Sequence, residues 1–492
     1  MFHLVVYKKA SGEIRRVITR TKQTDLRLTD LGLSPVLYDT LRVVSSLGSI
    51  NPTEWMVEKG TLIKIKEQAP LVLNPTDNAL EGKKTKLVFI GDKLTDNTGF
   101  GTQYSILAEG LRRRGYEIQQ VGYPEINKLL DMSFDYVLAL SDFNSVKTLL
   151  DLNLKNVLYW FALESANWPE DWNATLKTVP HIVPLLPFGQ SALSAKGLST
   201  HEAIPHGVPL DTLRPIPLRQ RAVLRREQKV DSNFVVSYLG TNVQRKCIDA
   251  LIESYAKFVK KYDDAGRSLL LLKTKLKGHY DIPALIKKAA DTHGVPALDR
   301  MIRVIDRELD RVQLNDFINI SDLGFNATSG EGFCVPIIEY LACGIPFLMG
   351  NHTSAPDLLS QFPLVDIEST YADDRFRWSR YKINTNHAAD CLGEYLNRWK
   401  QNQAYSKQTL RDYASRFSAQ RMVDAWDVLI QDLEQERLDK QYLNKASTII
   451  ELSEKVDENA RFFEIGQERL KSIDTPENDT PGVPGVKWVA VT

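Results

Sequence analysis

The sequence predicts an α/β protein in which two doubly wound, parallel-sheet domains lie between a small β-rich module and a helical C-terminal extension. Short apolar runs alternate with segments of helical pattern from residue 84 to about 372. This alternation is typical of strands buried in a parallel sheet with helices on both faces. Several runs end in a glycine-bearing loop, as is common where a ligand binds at the carboxyl ends of the strands. The chain has 492 residues, 43% of them hydrophobic, which suits two large domains or three smaller ones.

Charge and cysteine content exclude several classes of protein. The 62 basic and 62 acidic residues cancel, so the composition does not indicate a general nucleic-acid or anionic-membrane surface. The four cysteines have no CxxC spacing, which argues against a disulfide framework or zinc site and for a reducing compartment. No apolar run approaches the roughly 20 residues of a membrane span. The N-terminus has the pattern of a strand rather than a signal peptide. We therefore expect a cytoplasmic protein, in the host cytoplasm if a phage encodes it.

Residues 1–70 have the pattern of a separate β-rich module. Two hairpins are predicted, one over residues 4–19 and one over residues 54–64, which turns at Lys59 and Gly60. The pattern resembles the small β modules at the ends of bacteriophage tail and fibre proteins, and a generic β appendage is the alternative. A linker at 70–83 follows.

The first α/β domain is predicted over residues 84–215. Its strands are expected at 86–91, 117–121, 135–140 and 156–161, with further candidates at 181–185 and 202–204. Gly99, Phe100 and Gly101 lie in the loop between the first strand and a helix predicted at 102–114. Two glycines after a strand are compatible with phosphate binding, and a tight turn without a ligand is the alternative.

The second α/β domain is predicted over residues 230–372, after a charged connector at 219–229. Its strands are expected at 234–240, 269–272, 301–305, 323–326 and 346–349, and its helices at 248–262, 282–293, 312–318 and 336–343. Residues 373–435 are expected to add helices at 386–398 and 406–433. Residues 436–492 are expected to form a helical extension and a flexible tail. Either this extension or the N-terminal module could support an oligomer.

The stretch 329–346 has the strongest chemical signature in the chain. A glycine-bearing loop precedes Pro336, which suits the first position of a helix because its missing N–H would be unpaired there anyway. A glycine and a proline end that helix about two turns later. The amides of Phe333, Cys334 and Val335 are therefore expected to project from a helix N-terminus. Such an end binds phosphate through its amides and its partial positive charge.

Two carboxylates flank this predicted phosphate site. Glu331 lies in the loop and Glu339 lies on the helix. Carboxylates at both edges of a phosphate site indicate recognition of hydroxyl groups, and hydroxyls beside a diphosphate indicate a nucleotide sugar. The alternative is a buried strand–turn–helix with two solvated glutamates.

A second anion-binding element is predicted at 240–247. Arg245 and Lys246 lie there between a predicted strand and a predicted helix. An arginine fork suits two phosphate oxygens and a lysine acts as a point charge, so the pair could neutralise a diphosphate. A solvated basic pair is the alternative.

The paired glutamates, Glu331 and Glu339 with seven residues between them, resemble the motif of the retaining nucleotide-sugar glycosyltransferases of the GT-B fold. The likeness is to the "group 1" transferases of family GT4, and the segment 204–208 resembles that family's hinge-proximal motif. The resemblance covers residues 84–435. It implies two Rossmann-like domains facing each other across a cleft, with the donor held by the C-terminal domain and the acceptor by the N-terminal domain.

The resemblance also implies roles for individual residues. Glu339 would bind the donor ribose, and Glu331, beside Gly332, would contact hydroxyls of the transferred sugar. The amides of residues 333–335 would hold the diphosphate together with the cations of the second element. The glycine-rich loop at 98–102 would approach the diphosphate and the sugar. Cys334 stands where the family usually has glycine.

The sequence departs from the family pattern at other points. Many members carry a histidine after the strand at 156–161, and Glu164 is the nearest polar candidate for its place here. A structural aromatic cluster is the alternative for that segment. Thr241 stands where the family has an arginine. His206 is expected to line the cleft wall, and the loop of Asp306 to meet the nucleobase through its backbone.

The resulting prediction is a retaining glycosyltransferase that moves a sugar from a nucleoside-diphosphate sugar, such as a UDP- or GDP-sugar, to an acceptor hydroxyl. No Asp-x-Asp motif occurs in the chain, so we expect neither a metal nor another cofactor. The acceptor could be a glycan, a protein or a modified DNA base. The alternatives are a GT-B epimerase or phosphorylase, and a non-catalytic, virion-associated sugar-binding component.

Overall fold

A computed structural model of the protein describes residues 2–8, 14–20, 38–45, 55–58, 61–64, 84–95, 98–141, 143–374, 377–454 and 487–491. The chain divides into two compact units. One is Leu80–Trp426, and the other combines Met1–Ala79 with Asp427–Thr492. The predicted β-rich module therefore belongs to the same unit as the C-terminal extension.

The strands are β1 (Phe2–Lys8), β2 (Ile14–Arg20), β3 (Tyr38–Ser45), β4 (Trp55–Glu58), β5 (Thr61–Lys64), β6 (Lys86–Ile90), β7 (Glu117–Val121), β8 (Tyr136–Ser141), β9 (Val157–Phe161), β10 (His181–Pro184), β11 (Phe234–Leu239), β12 (Ser268–Lys273), β13 (Ile302–Ile305), β14 (Leu323–Asn326), β15 (Phe347–Met349), β16 (Ile367–Ala372), β17 (Ser379–Ile383) and β18 (Lys487–Val491). The helices are α1 (Gly99–Arg112), α2 (Phe143–Leu150), α3 (Asp171–Leu176), α4 (Pro187–Ala195), α5 (Leu218–Glu227), α6 (Ile248–Lys261), α7 (Ile282–His293), α8 (Arg311–Ile320), α9 (Val335–Ala342), α10 (Ala355–Leu358), α11 (Thr385–Lys400), α12 (Lys407–Ala414) and α13 (Ala419–Glu454). Among the described helices, none is long and apolar enough to cross a membrane.

The unit formed by the two chain ends contains a sheet with the strand order β18-β3-β1-β2. β1 is antiparallel to both β2 and β3, and β18 runs parallel to β3. β4 and β5 form the second predicted hairpin. Of the flexible tail expected near the end of the chain, residues 474–485 lie outside the described residues, and β18 follows them in the sequence.

The first sheet of the larger unit is entirely parallel, with the strand order β10-β9-β8-β6-β7. Every residue of β8 and β9 is buried, which explains their continuous apolar runs. The order reverses between β6 and β8, and such a switch point is where open α/β sheets bind ligands. The strand considered at 202–204 does not form. Pro205 follows it directly and cannot donate to a sheet ladder.

The second sheet is also parallel, with the strand order β13-β12-β11-β14-β15. Its switch point lies between β11 and β14. The charged connector before it contains α5, whose Arg225 is buried and pairs with Asp322 at the start of β14 (3.1 Å). The same guanidinium donates to the carbonyls of Ile320 and Val230. The connector therefore anchors the second domain instead of being solvated along its length.

A hairpin that the sequence did not predict precedes the expected helices, with its strands on either side of Asp373. β16 and β17 pair as an antiparallel hairpin. Helices α11 and α12 follow, and a 3-10 turn at Ser415–Phe417 separates α12 from α13. The chain returns there to the first domain, where the amide of Val208 donates to the carbonyl of Phe417 (2.9 Å). α13 continues to Glu454 as one helix, and residues 455–486 lie outside the described residues.

Candidate active site

The loops that follow β11 and β14 meet at the switch point of the second sheet. Lys246 Nζ lies 2.5 Å from Glu331 Oε1, and an Arg245 terminal nitrogen lies 2.7 Å from Glu331 Oε2. The backbones are joined as well, because the amide of Ser329 donates to the carbonyl of Arg245 (2.8 Å). Arg245 also donates to the carbonyl of Gly330 (2.9 Å). The structure thus brings together the two elements predicted to bind the donor.

Glu331 is ionised in this setting. It is 4% exposed, and burial alone would raise the pKa of its carboxyl. Arg245 and Lys246 outweigh that effect and lower the pKa to about 2. Within the described residues, no group of three or more His, Cys, Asp or Glu side chains is arranged to hold a metal ion.

Glu164 reaches Arg245 from the first domain. It follows β9, and its Oε1 lies 3.1 Å from Arg245 Nε. Its Oε2 lies 2.9 Å from a terminal nitrogen of Arg380 on β17, and Arg380 Nε lies 2.8 Å from Asp373 Oδ2. We call these six side chains the ion-pair cluster: Arg245, Lys246, Arg380, Glu164, Glu331 and Asp373. Sequence reasoning missed Arg380 and Asp373 because the hairpin that carries them was not predicted.

Two glycines allow the domains to approach each other beside the cluster. A Cβ atom at Gly330 would lie 2.5 Å from the carbonyl oxygen of Glu164. One at Gly332 would lie 2.7 Å from the carbonyl carbon of Ala162. Both neighbours are backbone atoms, which cannot rotate away. The close approach of the two domains therefore requires glycine at both positions.

The N-terminus of α9 differs in detail from the prediction. Cys334 is the N-cap and Val335 begins the helix, so Pro336 occupies the second position. The amide of Val335 donates to the carbonyl of Phe333 (3.1 Å) and is already engaged. Among the described residues, the amides of Phe333 and Cys334 have no hydrogen-bond partner. Two of the three amides predicted to bind phosphate are thus available.

Glu339 does not join the ion-pair cluster. It lies in the second turn of α9, is half-buried and forms no ion pair with another described residue. Burial of its carboxyl raises the pKa to about 7. The pKa values of the two glutamates in the predicted motif are therefore shifted in opposite directions. Glu331 is held ionised, whereas Glu339 is easily protonated.

The glycine-rich segment forms the first turn of α1 instead of a loop before it. Thr98 is the N-cap, and its hydroxyl oxygen accepts from the amide of Gly101 (3.0 Å). That hydroxyl donates to Asp92 Oδ2 (2.5 Å). Gly99 and Phe100 occupy the first two helical positions. This segment is therefore a capped helix N-terminus that follows β6. β6 is one of the two strands that flank the switch point of the first sheet.

His206 lies where the two domains meet, within a group of aromatic rings. Its ring centre is 4.9 Å from Trp160, 5.1 Å from Phe333 and 6.3 Å from Phe100. Both ring nitrogens are buried, and neither has a partner among the described residues. Burial lowers the pKa of the imidazole to about 3, so the ring is neutral.

The buried imidazole predicts a pH-dependent stability. The pKa of His206 is about 3 in the folded protein against an ordinary value of 6.5. Between these pH values the unfolded chain therefore binds a proton at this imidazole that the folded protein does not bind. The stabilisation is present above pH 6.5 and is lost as the pH falls toward 3, by up to about 1.4 kcal/mol per pH unit. We expect His206→Phe to flatten the acidic side of a plot of the thermal-unfolding midpoint against pH.

The matched control is His279→Phe, at an exposed histidine, which should keep the acidic slope of the unchanged protein. An equally steep slope in the His206→Phe protein would show that this ring does not set the acid sensitivity.

Asp306 lies apart from the ion-pair cluster. It follows β13, the edge strand of the second sheet, and accepts from the amide of Leu276 (3.1 Å). Its other carboxylate oxygen lies 3.4 Å from Lys275 Nζ. The hydrogen bond to Leu276 and the charge of Lys275 lower its pKa. Asp306 therefore joins the loop after β12 to the end of β13. Neither of these two interactions involves a residue of the ion-pair cluster.

Comparison with solved structures identifies the fold. HepE of Anabaena, in complex with UDP and glucose, matches with a TM-score of 0.55 at 12% identity, over 71% of this chain and 100% of HepE. Sucrose-phosphate synthase from Thermosynechococcus elongatus matches with a TM-score of 0.57 at 14% identity, over 71% of this chain and 99% of the synthase. Trehalose 6-phosphate synthase from Burkholderia multivorans matches with a TM-score of 0.55 at 10% identity, over 72% of this chain and 100% of that synthase.

These neighbours are glycosyltransferases of the GT-B class, and this chain has their fold. No protein-family model matches the sequence, and the search of curated proteins finds no match. The predicted fold class is confirmed, and the function is argued below from the site.

Proposed function

We propose that the protein is a retaining, metal-independent glycosyltransferase similar to family GT4, using a nucleoside-diphosphate sugar as donor. The observation that supports this most is the position of Arg245 and Lys246 beside Glu331 at the switch point of the second sheet. Cations at such a point suit a diphosphate, and the two available amides of α9 add further donors. HepE binds UDP and UDP-glucose in its solved structures, which agrees with a nucleotide-sugar donor here.

In the proposed mechanism the donor diphosphate takes over Arg245 and Lys246 from the carboxylates that neutralise them in this structure. The cations and the helix N-terminus then stabilise the diphosphate as the bond to the sugar breaks. The sugar passes through an oxocarbenium-like state, and the acceptor hydroxyl attacks from the face that the diphosphate leaves. Its proton passes to the leaving phosphate, so the reaction needs no strong protein base. The anomeric configuration is retained.

The carboxylates have separate roles in this proposal. Glu331, released from its cations by the diphosphate, orients the hydroxyls of the transferred sugar and stabilises the positive charge that develops on it. Glu164 comes from the acceptor domain and faces the reacting centre. Glu339 binds the ribose hydroxyls of the donor.

The experiment that tests this function is turnover with a panel of UDP- and GDP-sugars. The protein should release free nucleoside diphosphate from at least one donor, and EDTA should leave the rate unchanged. Proton NMR of the product should show the anomeric configuration of the donor. Binding without release across the panel would favour a sugar-binding component. An epimerised donor, or phosphate-dependent turnover, would indicate the other GT-B activities.

A further inference from the structure

The loop after β15 contacts both ends of the loop that carries Glu331. The amide of Glu331 donates to the hydroxyl oxygen of Thr353 (3.2 Å). Three residues earlier, the carbonyl of Thr328 lies 2.9 Å from Nε2 of His352. His352 Nδ1 lies 3.1 Å from the Thr353 hydroxyl. Two adjacent side chains therefore span the loop from Thr328 to Glu331.

The donors and acceptors in this connection can be assigned. The carbonyl of Thr328 can only accept, so Nε2 of His352 must carry the proton. Burial lowers the pKa of this imidazole to about 4, so the ring is neutral and Nδ1 is an acceptor. The Thr353 hydroxyl then donates to Nδ1 and accepts from the amide of Glu331. Three hydrogen bonds thus connect Glu331 to Thr353, Thr353 to His352, and His352 to Thr328. Each of them has one donor and one acceptor.

The backbone at Thr353 is strained. Its φ is 46°, in the left-handed region that β-branched residues rarely adopt. Thr353 is 5% exposed and His352 4% exposed, so neither residue makes its bonds to solvent. The His352 ring also stacks on Tyr381 of β17, with ring centres 4.9 Å apart and planes 1° from parallel. Thr353, in this conformation and with its hydroxyl hydrogen-bonded to both Glu331 and His352, is therefore constrained by its surroundings.

We propose that Thr353 and His352 are positioning residues that fix the Glu331 carboxylate for glycosyl transfer, an inference that rests on the proposed function. The hydroxyl of Thr353 accepts a hydrogen bond from the amide of Glu331. This bond fixes the backbone at Glu331 and therefore the position from which its side chain extends. His352 orients that hydroxyl and anchors the other end of the loop. Neither residue contacts the reacting atoms in this account.

Three substitutions at Thr353 separate positioning from stability. Thr353→Val keeps the shape and the strain and removes the hydroxyl. Thr353→Gly removes both the hydroxyl and the strain, and Thr353→Ser keeps the hydroxyl with less strain. We expect kcat to fall about 10²-fold in the Val and Gly proteins, a loss typical of a misplaced catalytic group. The Ser protein should stay within about threefold of the unchanged protein. The affinity for free nucleoside diphosphate should change little in all three.

The Gly protein gives the decisive comparison, because relief of strain offsets the stability that is lost with the two hydrogen bonds of the hydroxyl. If its kcat is normal, the hydroxyl has no positioning role and the inference is wrong. A fall in kcat with stability retained, and with recovery in the Ser protein, supports it.

A second measurement does not require turnover. Nitrogen-15 NMR of His352 should show an Nε2-protonated neutral ring whose Nδ1 accepts a hydrogen bond in the unchanged and Ser proteins. The Val and Gly proteins should lose the bond at Nδ1. If the unchanged protein turns over no donor, the proposed function fails, and this spectrum still reports whether Thr353 orients the ring. A spectrum that is the same in all four proteins would overturn the inference.

Discussion

Glu331→Gln is expected to lower kcat by about 10² to 10³-fold, the loss typical of removing one preorganised electrostatic group from a transition state. The affinity for free nucleoside diphosphate should be unchanged or tighter. In this structure Glu331 is the counter-ion of both Arg245 and Lys246, so an incoming diphosphate must displace it. A neutral glutamine competes less for these cations. Steady-state kinetics and calorimetric titration with the nucleoside diphosphate measure the two effects.

The matched control is Glu368→Gln. Glu368 lies on β16, is exposed and pairs with Lys382 (3.2 Å), so the control removes a glutamate charge outside the ion-pair cluster. It should leave both kcat and the diphosphate affinity near normal. Near-normal turnover in the Glu331→Gln protein would remove Glu331 from the mechanism. A large loss of diphosphate affinity would show that it binds the donor instead.

Lys246→Met is expected to destabilise the protein by about 3 kcal/mol and to weaken donor binding. Removing one partner of a buried ion pair leaves the other charge inadequately compensated, and such changes cost roughly 3–5 kcal/mol. Glu331 would keep only Arg245, which it shares with Glu164. Because some compensation remains, we place the loss at the low end of the range. Chemical denaturation measures the stability, and the KM for the donor reports the binding.

The double variant Lys246→Met, Glu331→Gln tests the cause of that loss. With both charges gone, most of the stability should return, because a buried pair replaced by neutral side chains of similar volume is often near neutral. Turnover should not return. Lys382→Met, at an exposed lysine, should change stability by less than about 1 kcal/mol. If the double variant is as unstable as Lys246→Met alone, lost packing and not the uncompensated charge is responsible.

Local pattern predicted most elements of the two α/β domains. The helix predicted at 282–293 and the strand predicted at 323–326 are confirmed by α7 and β14, because each combines a clear apolar pattern with clear end signals. The hairpin of β16 and β17 was missed. β16 is mostly exposed and therefore has no apolar alternation to mark it as a strand. Arg380 lies on that hairpin, so its place in the ion-pair cluster was missed with it.

Only those parts of the candidate site that depend on the strand order of a single sheet could be predicted from the sequence. Arg245, Lys246 and Glu331 come together because they follow strands that flank one switch point, and the order of parallel strands implies this. The contact of Glu164 with Arg245 depends on how two domains approach each other, which no local pattern records. The same holds for Thr353, since its hydrogen bond with Glu331 joins residues that lie 22 positions apart in the sequence.

The charge balance of the ion-pair cluster has a consequence for binding thermodynamics. The cluster joins three cations to three carboxylates, so an arriving diphosphate adds negative charge without adding a cation. The simplest compensation is proton uptake from solvent, for which Glu339, with a pKa of about 7, lies in the helix that follows the two amides proposed to bind the diphosphate. By linkage, a ligand that takes up protons binds more tightly as the pH falls. The heat of binding then contains the ionisation enthalpy of the buffer, so the measured enthalpy depends on the buffer chosen.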